Sequence, residues 1–181
     1  MAKEAFGNGA GRVSTWRIMG WGAAALLLLV PLVAMRYTEE VNWTASDFMF
    51  MGALFGLIGL CFEFIVRKSS SGFYRLAAAL ALLASFLTIW VNAAVGMIGD
   101  GDNPMNLMFA GVLVVALSGA IIAQFKPAGM MRAMLAAAIA QAVAGALGLS
   151  VDPHGAALSM GFALLWLPAA ALFHKAARDQ T

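Results

Sequence analysis

The chain has 181 residues, of which 62% are apolar and only 11% are charged. An ordinary soluble domain is about 45–50% apolar and about 25% charged, so a soluble fold of this composition would expose large apolar patches and aggregate. The formal net charge is only +2, and the single cysteine, Cys61, excludes an intrachain disulfide and a multi-cysteine metal site. The composition therefore predicts an integral membrane protein.

Six stretches approach the length of about 20 apolar residues that a membrane-spanning helix requires. In chain order they cover about 16–35, 46–66, 73–98, 106–125, 129–149 and 155–174. Short polar turns separate them, so consecutive helices are expected to be antiparallel neighbours. The first stretch is too long for the core of a signal peptide and is interpreted as a retained span. The sequence predicts an all-α bundle of six transmembrane helices over 16–174, with a cytoplasmic N-terminal segment 1–15 and a cytoplasmic tail 175–181.

The charges divide between the two sides of this bundle. Ten of the eleven basic residues fall on one side, at Lys3, Arg12, Arg17, Arg67, Lys68, Arg75, Lys126, Arg132, Lys175 and Arg178. Six of the nine acids fall on the other, at Glu39, Glu40, Asp47, Asp100, Asp102 and Asp152. Because Lys and Arg accumulate in cytoplasmic loops, this pattern predicts that both termini are cytoplasmic and that the outer face is acidic. It also favours six spans over five.

Small residues at intervals of four indicate where helices pack in lipid. The fifth span carries such a stripe at Ala136, Ala140, Ala144 and Gly148, and the second span carries Gly52 and Gly56. Internal packing is the favoured interpretation of these stripes, and a homodimer face is the alternative.

Two polar side chains are predicted to lie within the spans. Glu63 is the only ionisable one, and Arg67 follows it at the spacing that pairs charges on one helical face. Gln141 is nearly central in the fifth span, where its amide requires a partner on another helix or a polar cavity. An ion pair and a bond between helices are the structural interpretations; a path for protons or cations is the functional alternative.

The densest polar region surrounds the third external turn, from Trp90 to Asn106. Glycines allow a tight turn there, and carboxylate and amide oxygens are hard ligands that suit a cation. The pattern allows a candidate external ligand site, its metal unspecified, at Asp100, Asp102, Asn103 and Asn92. Glu39, Glu40, Asn42, Asp47 or the turn at 152–154 would complete it. The later glycine and glutamate of an EF-hand are absent. The favoured interpretation is a capped, solvated turn whose acids only enforce the topology, and the ligand site is the alternative.

Two segments of this outer face carry a resemblance. Trp90, Asn92 and Val95–Gly96, followed by 102–108, resemble a group of small, uncharacterised bacterial inner-membrane proteins, and the 40–48 stretch is similar to the same group. The resemblance implies a location in a bacterial inner membrane and no particular chemistry.

These observations predict a small transporter or channel-like protein for a cation or small polar solute, with Glu63 and Gln141 along its path. The alternative is a non-catalytic membrane sensor or partner subunit with an external ligand-binding face. An intramembrane enzyme acting on lipid through the external acids and His154 is the least favoured of the three, and no catalytic residues are assigned. No cofactor and no nucleic-acid partner are expected. The expected partners are the lipid bilayer and a second copy of the chain or another membrane protein.

Overall fold

A computed structural model describes residues 15–179 of the chain. Six α-helices follow one another: α1 (Thr15–Ala34), α2 (Ala45–Lys68), α3 (Gly72–Ala94), α4 (Met108–Ile122), α5 (Pro127–Leu147) and α6 (Pro153–Arg178). A short 3-10 turn, Pro104–Leu107, leads into α4, and the described residues contain no strand. The predicted N-terminal segment lies outside the described residues except for Thr15.

Five of these helices are long and apolar enough to cross a membrane: 45–67, 72–94, 104–122, 127–147 and 153–178. In α1 the apolar stretch within the described residues, 20–34, is shorter. The all-helical prediction is therefore confirmed, and the protein is a multi-pass membrane protein. The last predicted span is the longest helix of the chain, since α6 continues to Arg178, into the segment predicted as a tail.

The chain divides into two compact units after Leu60, within α2. In the first unit, α1 and α2 approach each other at glycines of α2. A Cβ added to Gly59 would lie 2.8 Å from the ring of Trp21, and one added to Gly52 would lie 3.9 Å from Leu28. Gly56, in contrast, has open space beside it. The glycine pair that contacts α1 is therefore 52/59, where the sequence indicated 52/56.

The second unit contains α3 to α6 as antiparallel neighbours. Helix α5 packs mainly against α6 and α4, and α3 packs against α6. The rings of Tyr74 and Phe173, with centroids 5.1 Å apart, and Lys175, 4.0 Å above the ring of Phe73, fix how far α3 and α6 are displaced along each other. Moving equal distances along the two helices from Tyr74 and Phe173 places Ala81 level with Trp166 and Thr88 level with Ser159.

Small side chains fill most of this core, and large ones face outward. Buried alanines occur on all four helices, whereas exposed Leu, Ile and Val residues cover the outer faces. This inside-out distribution suits lipid, because helices associate in a membrane through close packing and not through burial of large apolar side chains. The largest side chains buried among these alanines are Trp166, Phe109 and Phe173.

Two details of the sequence prediction are wrong. The third span was predicted to reach Ile98, but α3 ends at Ala94 because Gly96, with φ of 77°, turns the chain out of the helix. The predicted alanine stripe of α5 is rotated, since Ala144 is buried but Ala136 is exposed. An alanine-rich helix offers several stripes of equal spacing, and its neighbours decide which one is covered.

Candidate functional site

The turn between α3 and α4 and the start of α6 form one end of the second unit, here called the Asn106 end (residues 95–107 and 148–155). Gly96 ends α3 in the left-handed region, where its N–H donates to the carbonyl of Asn92. A Cβ at this position would also lie 2.6 Å from the carbonyl oxygen of Asp100 and 2.7 Å from Nδ2 of Asn106. Only glycine meets both requirements.

The side chain of Asn106 organises this turn from inside. Its Oδ1 accepts hydrogen bonds from the backbone N–H groups of Met97 and Ile98, each at 2.9 Å. Its Nδ2 donates to the carbonyls of Asp100 at 2.7 Å and Ile98 at 3.3 Å. The residue is only 5% exposed, and its own carbonyl accepts from Nδ2 of Asn92 at 3.1 Å. One amide therefore provides the hydrogen-bond partner for the N–H groups of Met97 and Ile98 and a second partner for the carbonyl of Asp100, which also accepts from the N–H of Asn103.

Asp152 ties this turn to α6. Its Oδ1 accepts from the N–H groups of His154 and Gly155, so it is the N-cap of α6, with Pro153 in the first helical position. Its Oδ2 accepts from the N–H of Gly99 at 3.0 Å. The hydrogen bonds from Gly155 and then Gly99 hold the pKa of the Asp152 carboxyl below its usual value, because they stabilise the charged form.

A buried polar layer lies below the turn, where α5, α6 and Met97 meet. Nε2 of Gln141 donates to the carbonyl of Ser159 at 3.3 Å and approaches the sulfur of Met97 at 3.8 Å. Oγ of Ser159 donates to the carbonyl of Met97 at 3.2 Å. Gln141 is 0% exposed. Its predicted role as a bond between helices agrees with these contacts.

Three oxygen atoms at this level have no hydrogen-bond partner among the described residues: Oγ1 of Thr88, Oδ1 of Asn92 and Oε1 of Gln141. Buried polar atoms are normally paired, because an unpaired one costs about 1–3 kcal/mol. Nε1 of Trp166, further along α6, is the fourth such atom.

The acids predicted as cation ligands are exposed on the outside of the turn. Asp100 and Asp102 both face solvent, and Oδ1 of Asn103 caps the 3-10 turn by accepting from the N–H of Met105. The described residues contain no group of three or more His, Cys, Asp or Glu side chains that could hold a metal ion. The amide of Asn92 is directed to Asn106.

The remaining two predicted ligands, Glu40 and Asp47, lie in the first unit. Oδ2 of Asp47 accepts from the N–H of Thr44 at 2.7 Å, and Oγ1 of Thr44 accepts from the N–H of Asp47 at 3.4 Å. This reciprocal pair is a capping box at the start of α2. Glu40 is exposed, and its N–H donates to Oγ1 of Thr38.

Glu63 forms the ion pair that the sequence spacing predicts. Its Oε2 lies 3.4 Å from a guanidinium nitrogen of Arg67, in a pair whose side chains are 12% and 70% exposed. Glu63 pairs with Arg67 near the end of α2, whereas the amide of Asn92 donates to Asn106 and that of Gln141 to Ser159.

The opposite end of the second unit, here called the Tyr74 end (residues 69–76, 120–127 and 173–179), is held by a different device. Helix α4 ends in a Schellman motif, in which the N–H of Phe125 donates to the carbonyl of Ala120 and that of Gln124 to Ile121. Both Gln124 and Phe125 have positive φ, of 50° and 60°. The hydroxyl of Tyr74 donates to the carbonyl of Phe125 at 2.6 Å, which anchors this turn to α3.

Sequence reasoning missed the organising role of Asn106 and the contributions of Thr88 and Ser159. Thr and Ser are ordinary components of apolar helices, so nothing local marks either residue. The pattern Asn103-Pro104 did indicate a helix start, and Thr44-x-x-Asp47 is the signature of a capping box. Those two signals indicate that Asn103 and Asp47 are helix caps.

No family model matches the chain, and neither a curated protein nor a solved structure matches it. The resemblance to small bacterial inner-membrane proteins stays a prediction.

Proposed function

We propose that this chain is a non-catalytic membrane binding protein, of the sensor or partner-subunit type, whose exposed acidic turn recognises a positively charged ligand. The observation that carries the proposal is the buried Asn106, whose side chain fixes the turn while Asp100 and Asp102 remain exposed. A rigid turn lowers the entropy that binding would otherwise lose, so it favours recognition by a preformed surface.

The interior of the second unit favours binding over conduction. Beyond the polar layer at Gln141, the largest buried side chains along α6 are Trp166 and Phe173, and Tyr74 packs on Phe173. These aromatic rings lie between the polar layer and the Tyr74 end, packed among the buried alanines. A ligand that reaches the layer would therefore have to leave by the way it entered.

Thermal unfolding of the purified protein in detergent tests this function, because a ligand that binds only the folded state raises the apparent stability. Spermidine, Mg²⁺ and Ca²⁺ serve as probes. We expect the transition to rise with at least one probe and the rise to disappear in the double variant Asp100→Asn/Asp102→Asn. The control Asp179→Asn removes an exposed acid at the Tyr74 end and should keep the rise. An unchanged transition with every probe contradicts the proposal.

A transporter for a cation or small polar solute is the second candidate, and the unpaired oxygens of Thr88, Asn92 and Gln141 favour it. Flux of Na⁺ and K⁺ into proteoliposomes, with Gln141→Met as the variant, tests it. A flux equal to that of protein-free liposomes contradicts it.

We further propose that the protein lies in a bacterial inner membrane with six spans and both termini in the cytoplasm. The support is the sorting of charges in the second unit, with Arg75, Lys126 and Arg178 near the Tyr74 end and Asp102 and Asp152 at the Asn106 end.

Because Cys61 is the only cysteine, a Cys61→Ser background allows single cysteines to be placed at either end. An impermeant maleimide should label Asp102→Cys in intact spheroplasts, and Asp179→Cys only after permeabilisation. The reverse pattern contradicts the proposed orientation.

A further inference from the structure

The unpaired oxygens below the Asn106 turn share one level of the second unit. Thr88 lies as many residues after Tyr74 as Ser159 lies before Phe173, and Tyr74 and Phe173 are in ring contact. Since antiparallel helices have the same rise per residue, this register places Thr88 level with Ser159 along the α3–α6 interface. Gln141 reaches this level from α5, because its Nε2 donates to the carbonyl of Ser159.

The orientation of each amide follows from its bonded nitrogen. Nε2 of Gln141 donates to a carbonyl, so the oxygen of the same amide is directed away from that carbonyl. Likewise Nδ2 of Asn92 donates to the carbonyl of Asn106 and leaves Oδ1 on the other side of the amide. If either amide were flipped, its oxygen would face the carbonyl oxygen that its nitrogen now contacts, and two acceptors would lie against each other. The atoms left over are therefore oxygens, and Thr88, one helical turn before Asn92, adds a hydroxyl oxygen.

We infer that Thr88, Asn92 and Gln141 form an internal site for a small monovalent cation, of the size of Na⁺, K⁺ or ammonium. Oxygen atoms of amides and hydroxyls are hard ligands for such ions. None of the three side chains is charged, which favours a monovalent over a divalent ion. The inference goes beyond the proposed recognition by Asp100 and Asp102, which lie on the exposed surface of the turn.

The electrostatics of the Asn106 end support a cation there. Helices α3 and α5 both end at this level, at Ala94 and Leu147, and a helix C-terminus carries a partial negative charge. Asp152 adds a carboxylate above the layer, about two turns of α6 before Ser159. The Lys and Arg residues described in the second unit lie toward the Tyr74 end, whereas His154 lies beside Asp152.

The site lies near the surface of the span. Ser159 is six residues into α6, and so about 9 Å from the start of that helix. The ion would therefore reach the layer from the Asn106 end, past the turn that Asn106 and Asp152 fix. The aromatic residues Trp166 and Phe173 block access to the layer from the Tyr74 end.

Thermal unfolding of the full chain in detergent, in NaCl, KCl, NH₄Cl or choline chloride at equal ionic strength, tests the site. At about one hundred times the dissociation constant, a bound cation should raise the transition by roughly 5–10 °C over choline. Thr88→Val keeps the shape of the side chain and breaks no hydrogen bond among the described residues. It should therefore abolish the cation-dependent rise while leaving the transition in choline unchanged or higher.

Two control variants make this result specific. Thr88→Ser keeps the hydroxyl and should keep the rise. Ser85→Ala removes another hydroxyl of α3, which donates to the carbonyl of Ala81 at 2.9 Å, and should also keep it. Gln141→Met should lose the rise and, because it also breaks a bond to α6, unfold at a lower temperature in every salt.

Equal transitions in all four salts would overturn the inference, as would a rise that survives in Thr88→Val. A rise that is lost in Asp100→Asn/Asp102→Asn but kept in Thr88→Val would place the cation at the exposed turn. That outcome supports the proposed function and overturns the internal site. A rise that is lost in Thr88→Val supports the internal site, whether or not the exposed turn also binds a cation.

Discussion

The two ends of the second unit are stabilised by opposite means. At the Asn106 end, neutral amides and one carboxylate satisfy the backbone of a long turn, and few large apolar side chains take part. At the Tyr74 end, the turn is short and is closed by its own backbone, one tyrosine hydroxyl and packed aromatic rings. A turn that is fixed by hydrogen bonds can keep its outer surface polar, whereas an aromatic core only holds helices together. This difference places the candidate sites at the Asn106 end.

The largest expected effect comes from Trp166, which lies between the two ends. Replacing this fully buried residue by alanine leaves a cavity among side chains that are already small, so the neighbours have little with which to fill it. We expect Trp166→Ala to destabilise the second unit by about 3–5 kcal/mol, measured by thermal unfolding in detergent. Trp166→Phe, which keeps most of the ring and removes the unpaired Nε1, should cost less. Equal losses in both variants would mean that the packing around Trp166 is loose.

Asn106→Leu tests the polar end. The variant leaves the N–H groups of Met97 and Ile98 and the carbonyl of Asp100 without their partner, and we expect a loss of about 2–4 kcal/mol. Asn103→Ala is the matched control, because it removes an asparagine of the same turn that accepts only one local hydrogen bond. Equal unfolding temperatures of Asn106→Leu and Asn103→Ala would contradict the organising role of Asn106.

The sequence predicted the helical class and five of the spans closely because each span is a long apolar run between polar turns. It also predicted the Glu63–Arg67 pair, since that contact depends only on spacing along one helix. It did not predict that Asn106 and Thr88 are buried. Those facts depend on how α3, α4 and α6 are displaced along one another, and the displacement is set by contacts such as Tyr74 with Phe173. It did not predict that Asp47 is a helix cap, because residue type alone does not separate a ligand from a cap.

Tyr74→Phe tests the aromatic end by removing one hydroxyl. The carbonyl of Phe125 loses its hydrogen bond from α3, so we expect a cost of about 1 kcal/mol in thermal unfolding. The ring contact with Phe173 should persist, and with it the displacement of α3 along α6. A loss as large as that of Asn106→Leu would mean that both ends depend on polar contacts to the same degree.

Gln124→Gly should stabilise the same end. Gln124 is exposed and has φ of 50° at the position of a Schellman motif that glycine usually occupies. Glycine removes the free-energy cost of the left-handed conformation, but it also has more chain entropy to lose on folding. The first effect is slightly larger, so we expect the free energy of unfolding to rise by about 0.5 kcal/mol. Gln124→Ala keeps the Cβ and should give no gain. A destabilised glycine variant would show that the Gln124 side chain itself stabilises the turn.

The smallest effect is a pH dependence at Asp152. Hydrogen bonds from Gly155 and Gly99 lower the pKa of this carboxyl in the folded state, so ionisation favours folding. The stabilisation is complete above the unfolded pKa and is lost as the pH falls through the lower, folded pKa. Asp152→Asn retains one acceptor oxygen but cannot receive the N–H of Gly99 on its nitrogen, so the variant should unfold at a lower temperature than the parent at neutral pH. Because the other carboxyls titrate in both proteins, their contribution cancels in the difference between the two transitions, which should shrink as the pH falls from about 5 toward 2. A difference that stays constant over this range would mean that Asp152 stabilises α6 through the geometry of its hydrogen bonds and not through its charge.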